Sequence, residues 1–252
     1  MLLERYLETK DQFVMVSDMS NREKEKDIVV MKLSGSLFNL DTTVSTLKNY
    51  AQLLLDLEHK VRLIVVAGGG KIARYYINLA RSLGSDESTL DMLGIHVSRL
   101  NAMLLVTALG NGTYPQIPET LEEVAIASQF NKIVITGGLY PGQSTNATSA
   151  LICEKVKATR FINATDVAGI YDSDPNKNSN AKLYSDISVA QCLRLLGNEK
   201  SQAGTYDLMD IIALKVIERS RIPTVVTEAN ITTLKNIILN KSSIGTRITV
   251  EH

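Results

Sequence analysis

The sequence predicts an α/β fold built around a mostly parallel sheet. Short β-branched runs alternate with longer stretches whose apolar residues fall at helical spacing, the pattern of successive βαβ units. Several short runs stop at glycine or small hydroxyl residues, where a parallel strand would turn into its crossover helix. A chain of 252 residues can bury a full core as one large domain or two intimate lobes.

Taken in order, Ile28-Val29-Val30-Met31-Lys32-Leu33 reads as the first strand. Residues 42–57 follow as a helix, with Val44, Leu47, Ala51, Leu54 and Leu55 at its period. Leu63-Ile64-Val65-Val66 is a second buried strand, stopped by Gly68-Gly69-Gly70, and helical patterns cover about 72–82 and 88–108. Lys132-Ile133-Val134-Ile135 is a third strand running into Gly137-Gly138, with a helix near 147–156 behind it. Arg160-Phe161-Ile162 leads to Thr165 and a turn at Gly169, and the turn-forming run 173–180 is a surface loop. Helices near 189–196 and 208–220, the strand Thr224-Val225-Val226, a helix near 233–239 and a strand over 247–250 complete the pattern. Residues 1–26 read as a mobile or loosely attached arm.

Lys plus Arg and Asp plus Glu are both 27, without the basic excess of a duplex-binding protein, so nucleic acid is not an expected partner. Cys153 and Cys192 lack C-x-x-C spacing, which predicts neither a disulfide framework nor a zinc site and fits a reducing compartment. His59, His96 and His252 are scattered and form no ligand set, so no metal residues are assigned. No apolar stretch of signal-peptide type and no run of bilayer length stands out, so the expected location is cytoplasmic and away from membranes.

Four strand ends carry the chemical signal: Ser34-Gly35-Ser36, Gly68-Gly69-Gly70, Gly137-Gly138 and Thr165 to Gly169. In an open parallel sheet the carboxyl ends of the strands line one edge, where ligands bind. Glycine lets main-chain N–H groups approach an anion, and the following helix offers its positive end, so converging turns would cradle several phosphates. No single turn is a known motif: Gly68-Gly69-Gly70-Lys71-Ile72 is not a P-loop, and no G-x-G-x-x-G occurs. Lys32, near the end of an apolar strand, either snorkels from a sheet edge or points at bound phosphate. Arg74 is either a second phosphate-facing cation or a solvated helix residue, and Asp91 and Asp210 either cap helices or act on a ligand.

Together and in order these residues resemble the amino-acid-kinase superfamily, and within it the archaeal-type uridylate (UMP) kinases. The matching blocks are 32–36, 68–76, 90–95 with 98–103, 137–145, 169–175 and 202–210, nearly the whole chain outside the arm. Asp91 to Met103 and Pro141-Gly142-Gln143-Ser144-Thr145 are the parts that resemble UMP kinases in particular. The resemblance implies a three-layer αβα sandwich, with an acceptor-binding lobe at about 27–163 and an ATP-binding lobe at about 164–252.

It also implies an activity: transfer of the γ-phosphoryl group of MgATP to UMP in pyrimidine nucleotide biosynthesis, by a homo-oligomer, commonly a hexamer. Lys32 and Asp210 are then the catalytic residues. Gly35, Ser36, Gly70, Arg74, Thr165, Tyr171 and Asp174 are expected at ATP. Gly69, Asp91, Leu139, Tyr140, Pro141, Gly142, Gln143, Ser144 and Thr145 are expected at UMP. Three positions depart from the usual pattern: Asn146 and Ala168 stand where relatives carry carboxylates, and Leu139 where many carry threonine. Two rival readings are a superfamily kinase with another acceptor and a nucleotide-binding regulator without chemistry.

Overall fold

The computed structural model describes residues 26–175, 177–198, 208–240 and 244–250. The expected arm, apart from Lys26, and residues 202–207 of the last matching block lie outside them.

Seven strands form one sheet: β1 (Ile28–Leu33), β2 (Arg62–Ala67), β3 (Val134–Thr136), β4 (Arg160–Thr165), β5 (Asp186–Ser188), β6 (Thr224–Glu228) and β7 (Thr246–Thr249). Their order is β3-β2-β1-β4-β6-β7-β5. Every pairing is parallel except β6 with β7. The central strands are buried on both faces, so they read as continuous apolar runs rather than alternating ones.

Eight described α-helices flank the sheet: α1 (Val44–Glu58), α2 (Gly70–Ser82), α3 (Glu87–Leu109), α4 (Leu121–Ala127), α5 (Thr145–Val156), α6 (Val189–Asn198), α7 (Ile211–Ser220) and α8 (Ile231–Asn240). Residues from α1, α3 and α8 close one face over Val29, Met31 and Leu33 of β1. Residues from α4, α5, α6 and α7 close the other over Ile28 and Val30. That is the expected three-layer sandwich. Alternation along β1 places Lys32 on the α5–α7 face, and its register partner Asn163 on β4 shares that face. The order of strands reverses between β1 and β4, and ligands in open sheets bind at the carboxyl ends beside such a switch.

Most predicted elements form, and the differences have local causes. The helix expected over 208–220 starts at Ile211, because Asp210 is its N-cap and accepts from the Ala213 N–H. The third strand is displaced toward Thr136, since Ile133 bridges Thr113 instead of β2. The short elements α4 and β5 carry too few residues for periodicity to register, and periodicity does not encode the antiparallel pairing of β6 with β7. One expectation needs correction: the helical stretch Glu87–Gly112 is long and apolar enough to cross a bilayer by length and composition. Its Leu90, Ile95, Ala102, Leu105 and Leu109 are buried within this fold, and its inward polar residues build the site described next.

Candidate active site

The turns after β1 and β2 meet backbone to backbone. Ser34 donates its main-chain N–H to the Ala164 carbonyl at 2.9 Å, and Gly68 donates to the Leu33 carbonyl at 2.9 Å, so both turns hang from strand ends. A Cβ on Gly35 would run into the main chain of Gly69 and Gly70, and Gly70 has φ +65°, a conformation that favours glycine. Ser34 accepts from the Ser36 N–H at 3.3 Å, which tightens the first turn. Helix α2 starts here with Gly69 as N-cap and no side-chain cap. Its first N–H groups and the positive end of its dipole are left for an anion.

Helix α3 fixes the second and third turns. Asn101 donates its side-chain amide to the Gly68 carbonyl at 2.7 Å. Ser98 Oγ accepts from the Gly138 N–H at 2.8 Å, and Arg99 Nε donates to the Gly138 carbonyl at 3.1 Å. Arg99 Nη1 also pairs with Glu119 at 2.7 Å. Sequence reasoning gave these three residues no role. The usable signal was buried polar side chains on an otherwise apolar helix, which becomes visible only once the inward face is known.

Beyond the third turn, Asp91 Oδ2 accepts from the Gly142 N–H at 2.7 Å, and the Tyr140 hydroxyl accepts from the Leu121 N–H at 3.3 Å. Ser144 caps α5, accepting from the Asn146 and Ala147 N–H groups at 3.0 Å each, and donates its hydroxyl to Asp210 Oδ2. Two helix N-termini are thereby tied together.

A cleft of about 700 Å³ opens at the switch point. It brings together Lys32, Gly35, Ser36, Gly69, Gly70, Arg74, Ser144, Thr145, Thr165 and Asp174, and adds Lys71 and Asn146. A second cavity of about 270 Å³ holds Tyr171 against Cys192, Leu195 and Leu196 and shares Asp174 and Leu208 with the cleft. Burial there pushes the Cys192 thiol up to about 12, so it is neutral and unreactive near pH 7. A third cavity, of about 480 Å³, holds Asp210 and Gly142 and shares Ser144 with the cleft.

Asp91, Leu139, Tyr140, Pro141 and Gln143 line none of these three. Leu139 is buried in the core, so its side chain faces inward where the sequence suggested a ligand contact. Among the described residues no three His, Cys, Asp or Glu side chains cluster to hold a metal. The cleft thus offers main-chain N–H groups, an uncapped helix start and the cations Lys32, Lys71 and Arg74, a set suited to polyphosphate.

Comparison with known proteins agrees. The model of the amino acid kinase family matches residues 27–228. A uridylate kinase of Methanobrevibacter smithii is 36% identical over 222 residues, 87% of this chain and 98% of that protein. One from Sulfurisphaera tokodaii is 44% identical over 202 residues, 79% of this chain and 88% of the other. The crystal structure of uridylate kinase from Archaeoglobus fulgidus superposes with a TM-score of 0.78 at 35% identity, covering 88% of this chain and 99% of that one. A UMP kinase structure from Bacillus anthracis, at 21% identity and a TM-score of 0.74, shares the fold.

Proposed function

This chain belongs to the amino acid kinase family, among its uridylate kinases, and from that premise we propose that it transfers the γ-phosphoryl group of ATP to UMP, giving UDP and ADP. The observation that carries the reading is the interlocked Gly35–Gly70 cradle, which sits with Lys32 at the uncapped start of α2.

In the proposed step an oxygen of the UMP phosphate forms the new bond to the γ-phosphorus. The bond from that phosphorus to the bridging oxygen of ADP breaks, and the electron pair leaves with ADP. The acceptor phosphate, with a second pKa of about 6, is already largely a dianion near neutral pH and needs no strong general base. Alignment and charge neutralisation then supply most of the acceleration. Lys32 neutralises the moving group, and Asp210 organises the lysine's end of the cleft. Magnesium enters as part of the MgATP substrate.

The second lobe, about 164–252, takes ATP through Thr165, Tyr171 and Asp174 at its adenosine, while Gly35, Ser36, Gly70 and Arg74 reach its phosphates from the first lobe. The first lobe, about 27–163, takes UMP through Gly69, Asp91 and the loop 139–145, with Leu139 contributing main chain only. The chain works as a homo-oligomer, a hexamer by family resemblance. Exposed Tyr75 and Leu79 of α2 and Leu83 just after it, with Leu100, Met103 and Leu104 of α3, support a subunit contact there. A cytoplasmic place in pyrimidine nucleotide biosynthesis follows from the same reading.

The test is incubation of the purified protein with MgATP and, separately, UMP, CMP, dUMP, GMP or AMP, following ADP and the diphosphate formed. UDP produced well ahead of every other diphosphate supports the reading. Nucleotide binding with no turnover on any acceptor replaces it with the regulatory rival.

A further inference from the structure

Two asparagines meet at one carbonyl beneath the facing ends of α5 and α7. Asn146, in the first turn of α5, donates its amide to the Leu208 carbonyl at 3.1 Å. Asn163, on β4, donates to the same carbonyl at 2.6 Å and approaches Met209 Sδ at 3.3 Å. Both side chains are nine-tenths or more buried, with exposures of 7% and 0%. Leu208 lies two residues before Asp210, whose carboxylate caps α7 and accepts from Ser144. Asn163 also stands in register with Lys32 on the neighbouring strand.

A carbonyl with two lone pairs, both met by buried amide donors, is held in direction as well as in place. The clamp joins α5, which carries the acceptor side, to the segment carrying Asp210 and to the strand beside Lys32. A carboxylate could not serve at either position when ionised, because it has no hydrogen to give and would set negative charge against a carbonyl oxygen.

We propose that Asn146 and Asn163 are positioning residues for phosphoryl transfer, which clamp the Leu208 carbonyl so that Asp210 keeps its place relative to Lys32. The proposal rests on the kinase reading given above. It explains why the amide at 146, one of the departures from the resembling family, is compatible with activity: this chain uses the N–H₂ group, which an aspartate lacks. The Oδ1 atoms of both residues are buried without a hydrogen-bond partner among the described residues. The amide donors are therefore the ends of these side chains that the fold engages.

The test compares the full chain with Asn146→Asp and, separately, Asn163→Asp. In Asn146→Asp at pH 8, kcat for UDP formation should fall about tenfold to a hundredfold, the scale of an ångström-sized misplacement. KM for UMP and for MgATP should change less than about threefold, because uniform binding is untouched. As the pH is lowered toward 5.5 the variant's kcat relative to wild type should climb, since a protonated carboxyl regains a donor for the Leu208 carbonyl. Without any nucleotide, amide hydrogen exchange across 208–214 should be faster in both variants than in wild type.

A variant-to-wild-type kcat ratio near one, or a depressed ratio that stays flat with pH, overturns the proposal. So does unchanged exchange over 208–214, and that measurement holds even if the wild type proves to transfer phosphate to no acceptor. In that event the kinase reading fails while the exchange data still decide the clamp. If Asn146→Asp fails to fold, Asn146→Ala, which removes the donor without adding charge, takes its place in the exchange measurement with the same two outcomes.

Discussion

Asp91 Oδ2 lies 2.7 Å from the main-chain nitrogen of Gly142, so a carboxylate on α3 holds the loop 139–145 in place without a ligand. In the proposed reading the ribose of UMP joins this bond or displaces Gly142, and both routes pass through Asp91. Asp91→Ala should raise KM for UMP about tenfold, the loss expected for a hydrogen bond to a charged group, and leave KM for MgATP near its wild-type value. Asp91→Asn keeps an acceptor for Gly142 and should fall between the two. Steady-state kinetics with each substrate varied checks this, and a rise in KM for ATP alone would reassign the residue.

Lys32 is the cation closest in the chain to the first turn, and the proposed step needs charge beside the moving group. Lys32→Ala should lower kcat about a hundredfold to a thousandfold, the scale seen when one preorganised donor is removed from a transition state. Calorimetric Kd values for ATP and UMP should stay within about fivefold of wild type if the lysine acts mainly on the transition state. Near-normal turnover in this variant sinks the mechanism.

Gly35 has no room for a side chain, since the atoms it would meet belong to main chain and cannot swing away. Gly35→Ala should destabilise the fold by about 1–3 kcal/mol, the range for overpacking a tight site, and weaken ATP binding together with stability. Thermal unfolding with and without ATP reads both. An unchanged melting temperature would mean that the two turns are not in contact.

Glu154, on α5, is bound by Arg219 of α7 at 2.5 Å and by the hydroxyl of Ser220. The Arg219 guanidinium, and then the Ser220 hydroxyl, hold its carboxyl below the ordinary 4.5. A pKa depressed in the folded state contributes stability that is present above the unfolded value and lost as pH falls through the folded one. Wild type should therefore exceed Glu154→Gln in urea midpoint at pH 7, and the gap should narrow as the pH falls from 5 toward 3.5. The pair is partly exposed, so the gap should also shrink in high salt. A gap that widens in acid would contradict the assignment.

The β1, β2 and β4 runs were legible in the sequence because strands buried on both faces are continuous apolar stretches, and their glycine endings marked the site edge. Lys32, Arg74, Thr165 and Asp174, which the resemblance named for the site, line one cleft in the fold. Ser98, Arg99 and Asn101 were not, because α3 is apolar around much of its circumference and a polar residue there looks the same whether it faces inward or outward. Asp210 was placed at a helix start, and of the two roles left open for it the fold shows the cap. The clamp on Leu208 was illegible for a simpler reason. It joins residues 45 and 62 positions apart in the chain, and nothing local to either asparagine announces a shared carbonyl.

The Gly35–Gly70 cradle has a further consequence for the folding equilibrium. Neither turn has this shape alone: each is held by strand ends and by the other, so the unfolded chain offers a nucleotide nothing comparable to bind. By mass action, any ligand seated there draws population away from the unfolded ensemble, by about 2.7 kcal/mol at a hundred times its Kd. With the nucleotide seated as proposed, the chain's resistance to heat and to proteases becomes a gauge of nucleotide supply, and a cell depleted of nucleotides would hold a less durable copy of the same molecule.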